Sequence, residues 1–70
     1  MDPETCLKRI INALHNGEEE HARDLLEDLR SWIKKGGFSP KDAQWRKTIN
    51  DLATEKGIIQ RGEKYVSKRS

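Results

Sequence analysis

The chain has one cysteine and two histidines among 70 residues, which excludes an internal disulfide and a four-thiolate zinc site and leaves few soft ligands for any other metal. Aromatic residues make up 6% and hydrophobic residues 33% of it, well under the about 45–50% apolar content of an ordinary globular chain. The core is therefore thin, and at this length a domain buries only about 60% of the surface its unfolded chain exposes. Residues 1–70 make one small domain and no more. No apolar run approaches the roughly 20 residues that a membrane span requires, and the opening Met1-Asp2-Pro3-Glu4 lacks the basic-then-apolar layout of a secretion signal. The expectation is a soluble, cytoplasmic protein with no membrane partner. There is also no phosphate-cradling glycine loop, and the pattern assembles no nucleophile, base and orienting acid. A non-enzymatic protein without a cofactor is expected.

What the chain has in abundance is charge. Asp, Glu, Lys and Arg reach 37%, with a net charge of +2, and the two signs are unevenly placed. Residues 1–35 hold six Lys/Arg against eight Asp/Glu, a balance of −2, whereas residues 36–70 hold eight against four, a balance of +4. A basic C-terminal half of this size suits a polyanionic partner such as DNA or RNA.

Apolar spacing predicts three helices. Asp2-Pro3 supplies an N-cap and a proline at the first helical position, and Leu7, Ile10, Ile11 and Leu14 follow at i, i+3, i+4 and i+7, giving a helix over 3–15. Asn16-Gly17 interrupts it, with Asn16 expected to cap the next helix and Glu19 to complete a variant capping box. Ala22, Leu25, Leu26, Leu29, Trp32 and Ile33 carry a second helix over 17–35, stopped by Gly36-Gly37. Phe38 is expected to fold back onto the core. Ser39-Pro40-Lys41-Asp42 then reads as a fresh start, with Ser39 as N-cap and Pro40 at the first position, for a third helix over 40–56 that ends at Gly57. The expected core is Leu7, Ile10, Leu14, Leu25, Leu26, Leu29, Trp32, Ile33, Phe38, Trp45, Ile49, Leu52 and Ile59.

The last stretch changes character. Ile58-Ile59-Gln60 and Glu63-Lys64-Tyr65-Val66 are short and rich in β-branched or aromatic residues, and Arg61-Gly62 between them reads as a two-residue turn. A small β-hairpin near 58–66 is expected, with Ile58 or Ile59 and Tyr65 packed on the helices, because an isolated hairpin is marginal in water. Residues 67–70 read as a frayed basic tail. The fold class is thus mainly α: a compact three-helix domain with a small C-terminal β-hairpin. From Ile49 to Arg61, followed by Tyr65-Val66, the chain resembles the end of winged-helix DNA-binding domains, in which a recognition helix stops at a glycine and runs into an apolar strand and a basic wing. The resemblance covers residues 40–66 and implies DNA binding through the third helix and the hairpin.

On the outer face of that third helix, Lys41, Gln44, Lys47, Thr48 and Asp51 recur at three and four. A helix in a groove of nucleic acid uses long polar side chains near its N-terminal half for base edges and flanking cations for phosphates. Gln44 suits an adenine edge, Lys41, Arg46 and Lys47 suit the backbone, and Arg61 and Lys64 on the hairpin, with Lys68 and Arg69, add contacts beside it. The candidate nucleic-acid-binding residues are therefore Lys41, Gln44, Arg46, Lys47, Thr48, Arg61 and Lys64. The same pattern also describes the solvated face of any amphipathic helix.

A second class of function competes with this one. The first two helices, with Ala13-Leu14, Gly17, Ala22 and Leu26, resemble a single tetratricopeptide-type unit, and one copy has no neighbour to stack on. Uncovered apolar surface there favours a protein–protein interaction module, another protein or a second copy in a homodimer. Cys6 faces inward beside Leu7 as a buried thiol rather than a nucleophile. His15 and His21 flank Gly17 and three glutamates at a spacing that matches no established metal motif.

Overall fold

Asp2 starts the first helix. Its carboxylate accepts the Glu4 N–H at 3.0 Å and the Thr5 hydroxyl at 2.9 Å, and Pro3 occupies the first helical position. The computed structural model describes residues 2–66; the expected basic tail of residues 67–70 lies outside them. Among the described residues there are three helices, α1 (Pro3–His15), α2 (Glu19–Lys34) and α3 (Trp45–Glu55), and no strand. The first matches the expected bounds, and the mainly α class holds. The hairpin does not form.

α1 is the central element, packed against both α2 and α3, which among the described residues do not pack on each other. Its stripe of Leu7, Ile10, Ala13 and Leu14 meets Ala22, Leu26 and Leu29 of α2 and Trp45, Ile49 and Leu52 of α3 in one cluster. Burying each leucine or isoleucine among them contributes about 1.5–3 kcal/mol. Of the expected core, Leu25, Trp32 and Ile33 are half-buried at its margin. Two expectations are overturned. Phe38 is 68% exposed, and Ile58 takes the packing place given to Ile59, while Val66 enters the core at 4% exposure.

All three helices stop in the same way. After α1, the Gly17 N–H donates to the Leu14 carbonyl at 3.2 Å and the Glu18 N–H to the Ala13 carbonyl at 2.8 Å; the equivalent pairs follow α2 and α3. This is the Schellman arrangement, which requires a left-handed residue after the cap. Glycine meets that requirement at Gly17, where φ is +76°, without the clash a Cβ brings. The expected capping box at the start of α2 is absent. Asn16 is spent as the C-cap of α1, and Glu18 occupies the N-cap position with no side-chain bond. Glu19 pairs instead with Arg23 at 3.0 Å.

The third helix begins five residues later than its sequence signals suggest. Pro40 is buried, and the next backbone N–H, that of Lys41, donates to the carboxylate of Glu4 on α1. The chain is thus tied to another helix where it was expected to begin its own. The turn into α3 is made by Asp42 rather than Ser39: its carboxylate accepts the Gln44 N–H at 2.9 Å and its carbonyl the Trp45 N–H at 3.2 Å, a local bond geometry that asparagine and aspartate favour.

The failure of the hairpin, by contrast, has a local cause. Arg61-Gly62 does form a turn, with the Glu63 N–H on the Gln60 carbonyl at 3.0 Å. Gly62, the second central residue, has φ of +92°, and Arg61 has negative φ. Hairpins of two-residue loop need positive φ at the first central residue, because only then does the turn twist in the same sense as the strands. The strands accordingly splay, and residues 60–66 run back over α3 as a single strap.

A cationic groove between the third helix and the C-terminal strap

Mid-helix asparagine is a poor helix former because its amide competes with the backbone for hydrogen bonds. At position 50 that capacity is used at long range. The Asn50 Nδ2 donates to the Val66 carbonyl at 2.7 Å, and the Val66 N–H donates to Asn50 Oδ1 at 2.7 Å. One side-chain amide thereby satisfies both backbone groups of Val66, as a neighbouring strand otherwise does. The strap gains two further attachments: the buried Val66 side chain, and the Tyr65 hydroxyl, which donates to the Glu19 carbonyl of α2 at 3.4 Å.

Holding the strap against α3 creates an open groove of about 870 Å³. Arg46, Lys47, Asn50, Asp51 and Thr54 line it from the helix, at positions that share one face. Arg61, Gly62, Glu63, Lys64 and Val66 line it from the strap. Four cations and two carboxylates therefore meet there. The Glu63 carboxylate is engaged locally, accepting the Gln60 N–H at 3.0 Å. Among the described residues the ion pairs join Arg23 to Glu19 and Arg30 to Glu27, so Arg46, Lys47, Arg61 and Lys64 face the groove without a carboxylate partner. The Arg46 guanidinium sits 4.3 Å above the Trp45 ring, a cation–π contact that orients it.

The structure brings together Arg46, Lys47, Arg61 and Lys64 of the seven expected residues. Thr48 is exposed on α3 but does not line the groove, and Lys41 and Gln44 lie in the loop before the helix rather than on it. With the helix starting at Trp45, the even spacing of Lys41 and Gln44 with Lys47 no longer describes one helical face. Asn50 was missed, and the sequence offered no sign of its role, since Asn12 holds a comparable place in α1 and stays exposed.

Elsewhere the chemistry is quiet. The Cys6 thiol donates to the Leu25 carbonyl at 3.3 Å, and burial, reinforced by Asp28, pushes it up. Among the described residues no three His, Cys, Asp or Glu side chains converge to hold a metal ion, and no helix is long and apolar enough to cross a membrane.

Burial also pushes the Tyr65 hydroxyl above its ordinary value of 10.0, partly offset by Arg23. The folded state therefore keeps that proton more firmly than the unfolded chain does. On the account of Tyr65, stability is unaffected below about pH 10 and falls as the pH rises through the folded-state value, while the raised Cys6 thiol brings its own loss above its ordinary value of 9.0. Urea titrations on either side of that pH are expected to show a steeper alkaline loss for the native chain than for Tyr65→Phe.

The chain matches no protein-family model, no curated protein and no solved structure.

Proposed function

We propose that this protein is a non-enzymatic nucleic-acid-binding module that grips the sugar-phosphate backbone in the groove between α3 and residues 60–66. The observation that carries the reading is the convergence of Arg46, Lys47, Arg61 and Lys64 on one open groove, where they outnumber its carboxylates, Asp51 and Glu63, and none makes an ion pair among the described residues. Phosphate oxygens are the natural complement of such a row, and binding through them releases counterions and weakens as salt rises. Few groove positions carry the amide donors and acceptors that read base edges, so the reading is one of sequence-independent attachment. A cytoplasmic setting accords with it.

The homodimer alternative has less support. Among the described residues Phe38 is the one large apolar side chain left exposed, whereas a stable interface buries about 800 Å² on each partner.

Fluorescence anisotropy of labelled oligonucleotides at low and at physiological salt tests the proposal. Affinity is expected to fall steeply with salt. Lys47→Glu, at an exposed position, is expected to weaken binding and to lower the salt slope by about 1, with the helical circular dichroism unchanged. Absence of binding at low salt, or binding indifferent to salt, overturns the reading.

A further inference from the structure

Phe38 is held in the open by its surroundings. The Trp32 indole N–H donates to the Phe38 carbonyl at 3.1 Å, and the two rings meet edge to face with centroids 6.0 Å apart and planes 80° from parallel. Gly37 lies so close to the Trp32 ring that any Cβ there overlaps it, and Pro40 is buried two residues further on. With its carbonyl bonded to Trp32 and the loop tied on either side, Phe38 is 68% exposed. Aromatic side chains usually contribute their large apolar area to a core. A chain with four aromatic residues in all spends one of them on solvent.

The electrostatic setting of the ring is equally distinct. From Leu29 to Lys41 the chain carries Arg30, Lys34, Lys35 and Lys41 and not one acid. The adjoining acids are engaged: Glu4 accepts the Lys41 N–H, and Asp42 accepts the Gln44 N–H. Phe38 is therefore an exposed aromatic residue in a stretch of sequence that holds Lys35 and Lys41 and no acid. Arg46 follows it by eight positions, so the Phe38 backbone lies no more than about 29 Å from that of Arg46 at the end of the cationic groove.

We propose that Phe38 is a stacking platform for an unpaired base, with Lys34, Lys35 and Lys41 meeting the adjacent phosphates, and that the ligand of the groove is a single strand rather than a duplex. The inference rests on the nucleic-acid reading of the groove and names its substrate class. An aromatic ring beside a cationic track is the usual means of holding single strands without regard to sequence, since every base has a π-face. In a duplex those faces are already stacked, and inserting a ring between them costs a few kcal/mol per step.

Anisotropy titrations with labelled oligothymidylate, oligouridylate and a random duplex, on the native chain and on Phe38→Ala, Phe38→Leu, Phe38→Tyr and Lys47→Glu, test it. The position is exposed, so folding is preserved, and circular dichroism checks this. The expected result is tighter binding of the single strands than of the duplex, about a tenfold loss of single-strand affinity in Phe38→Ala and Phe38→Leu, and recovery in Phe38→Tyr. Comparison of the two single strands distinguishes DNA from RNA as the source of the base. Three outcomes overturn the inference while leaving the groove reading intact, provided Lys47→Glu still weakens binding: duplex preferred to single strand, Phe38→Ala without effect, or Phe38→Leu binding as the native chain does. Failure of the native chain to bind any of the three oligonucleotides overturns both readings. So does failure accompanied by Phe38-dependent sedimentation with phosphatidylserine vesicles, which would make the same aromatic and basic cluster a membrane contact.

Discussion

Asn50→Ala is expected to lower the melting temperature by about 8–16 °C and to weaken oligonucleotide binding as strongly as any charge reversal in the groove. The two bonds between the Asn50 amide and the Val66 backbone each contribute about 0.5–1.5 kcal/mol net. Their joint loss, about 2 kcal/mol, corresponds to that shift in a domain of this size. The functional effect follows from the same bonds. Without them the strap keeps the Val66 side chain and the packing and long hydroxyl bond of Tyr65, and Arg61 and Lys64 are held less firmly opposite Arg46 and Lys47. Asn50→Asp separates the two contributions. Its carboxylate can still accept the Val66 N–H but cannot donate to the carbonyl, and it adds a negative charge to the groove. Thermal melts followed by circular dichroism, together with anisotropy, are the measurements. An Asn50→Ala protein as stable as the native chain would show that the strap is held by other means.

The largest loss of stability is expected at Ile10, which is fully buried on the one helix that touches both others. Truncating a buried isoleucine to alanine costs about 2–5 kcal/mol, the transfer cost of the removed methyl groups plus that of the cavity. A single core in a chain of this length supplies only about 3–5 kcal/mol. Ile10→Ala is therefore expected to leave the chain largely unfolded near room temperature, and Ile10→Val, at about 0.5–1.5 kcal/mol, to remain folded with a lower urea midpoint. The position magnifies the effect: α2 and α3 do not pack on each other, so a cavity in α1 loosens both of its interfaces. Urea titrations of the two variants check the gradation, and equal midpoints would contradict the central place of α1.

Much of the fold was legible because its causes are local. The bounds of α1 follow from Asp2, Pro3 and the four apolar positions behind them, all within the helix itself. Each helix stops at a glycine that the backbone geometry requires, and those glycines are plain in the sequence. The apolar faces of all three helices are where their spacing places them, since helical period is a property of the chain itself.

The tertiary structure decided what depends on groups far apart in the chain. Ser39-Pro40 carries good start signals, yet α3 begins at Trp45 because Pro40 is buried and the Lys41 N–H is taken by Glu4, 37 residues earlier. The hairpin failed for a nearer reason: the β-branched pattern of 58–66 describes strand formers correctly, but pairing needs a turn of the right hand, and Gly62 supplies the other. The Asn50 amide then offered Val66 the hydrogen bonds that a partner strand would have made. Phe38 reads as core from its size alone, yet the loop that closes on Trp32 through the Phe38 carbonyl and Gly37 leaves it exposed. The candidate site divides along the same line. Charge pattern pointed to Arg46, Lys47, Arg61 and Lys64, whereas their assembly into one groove rests on a single asparagine sixteen residues from its partner, a pairing for which local periodicity carries no signal.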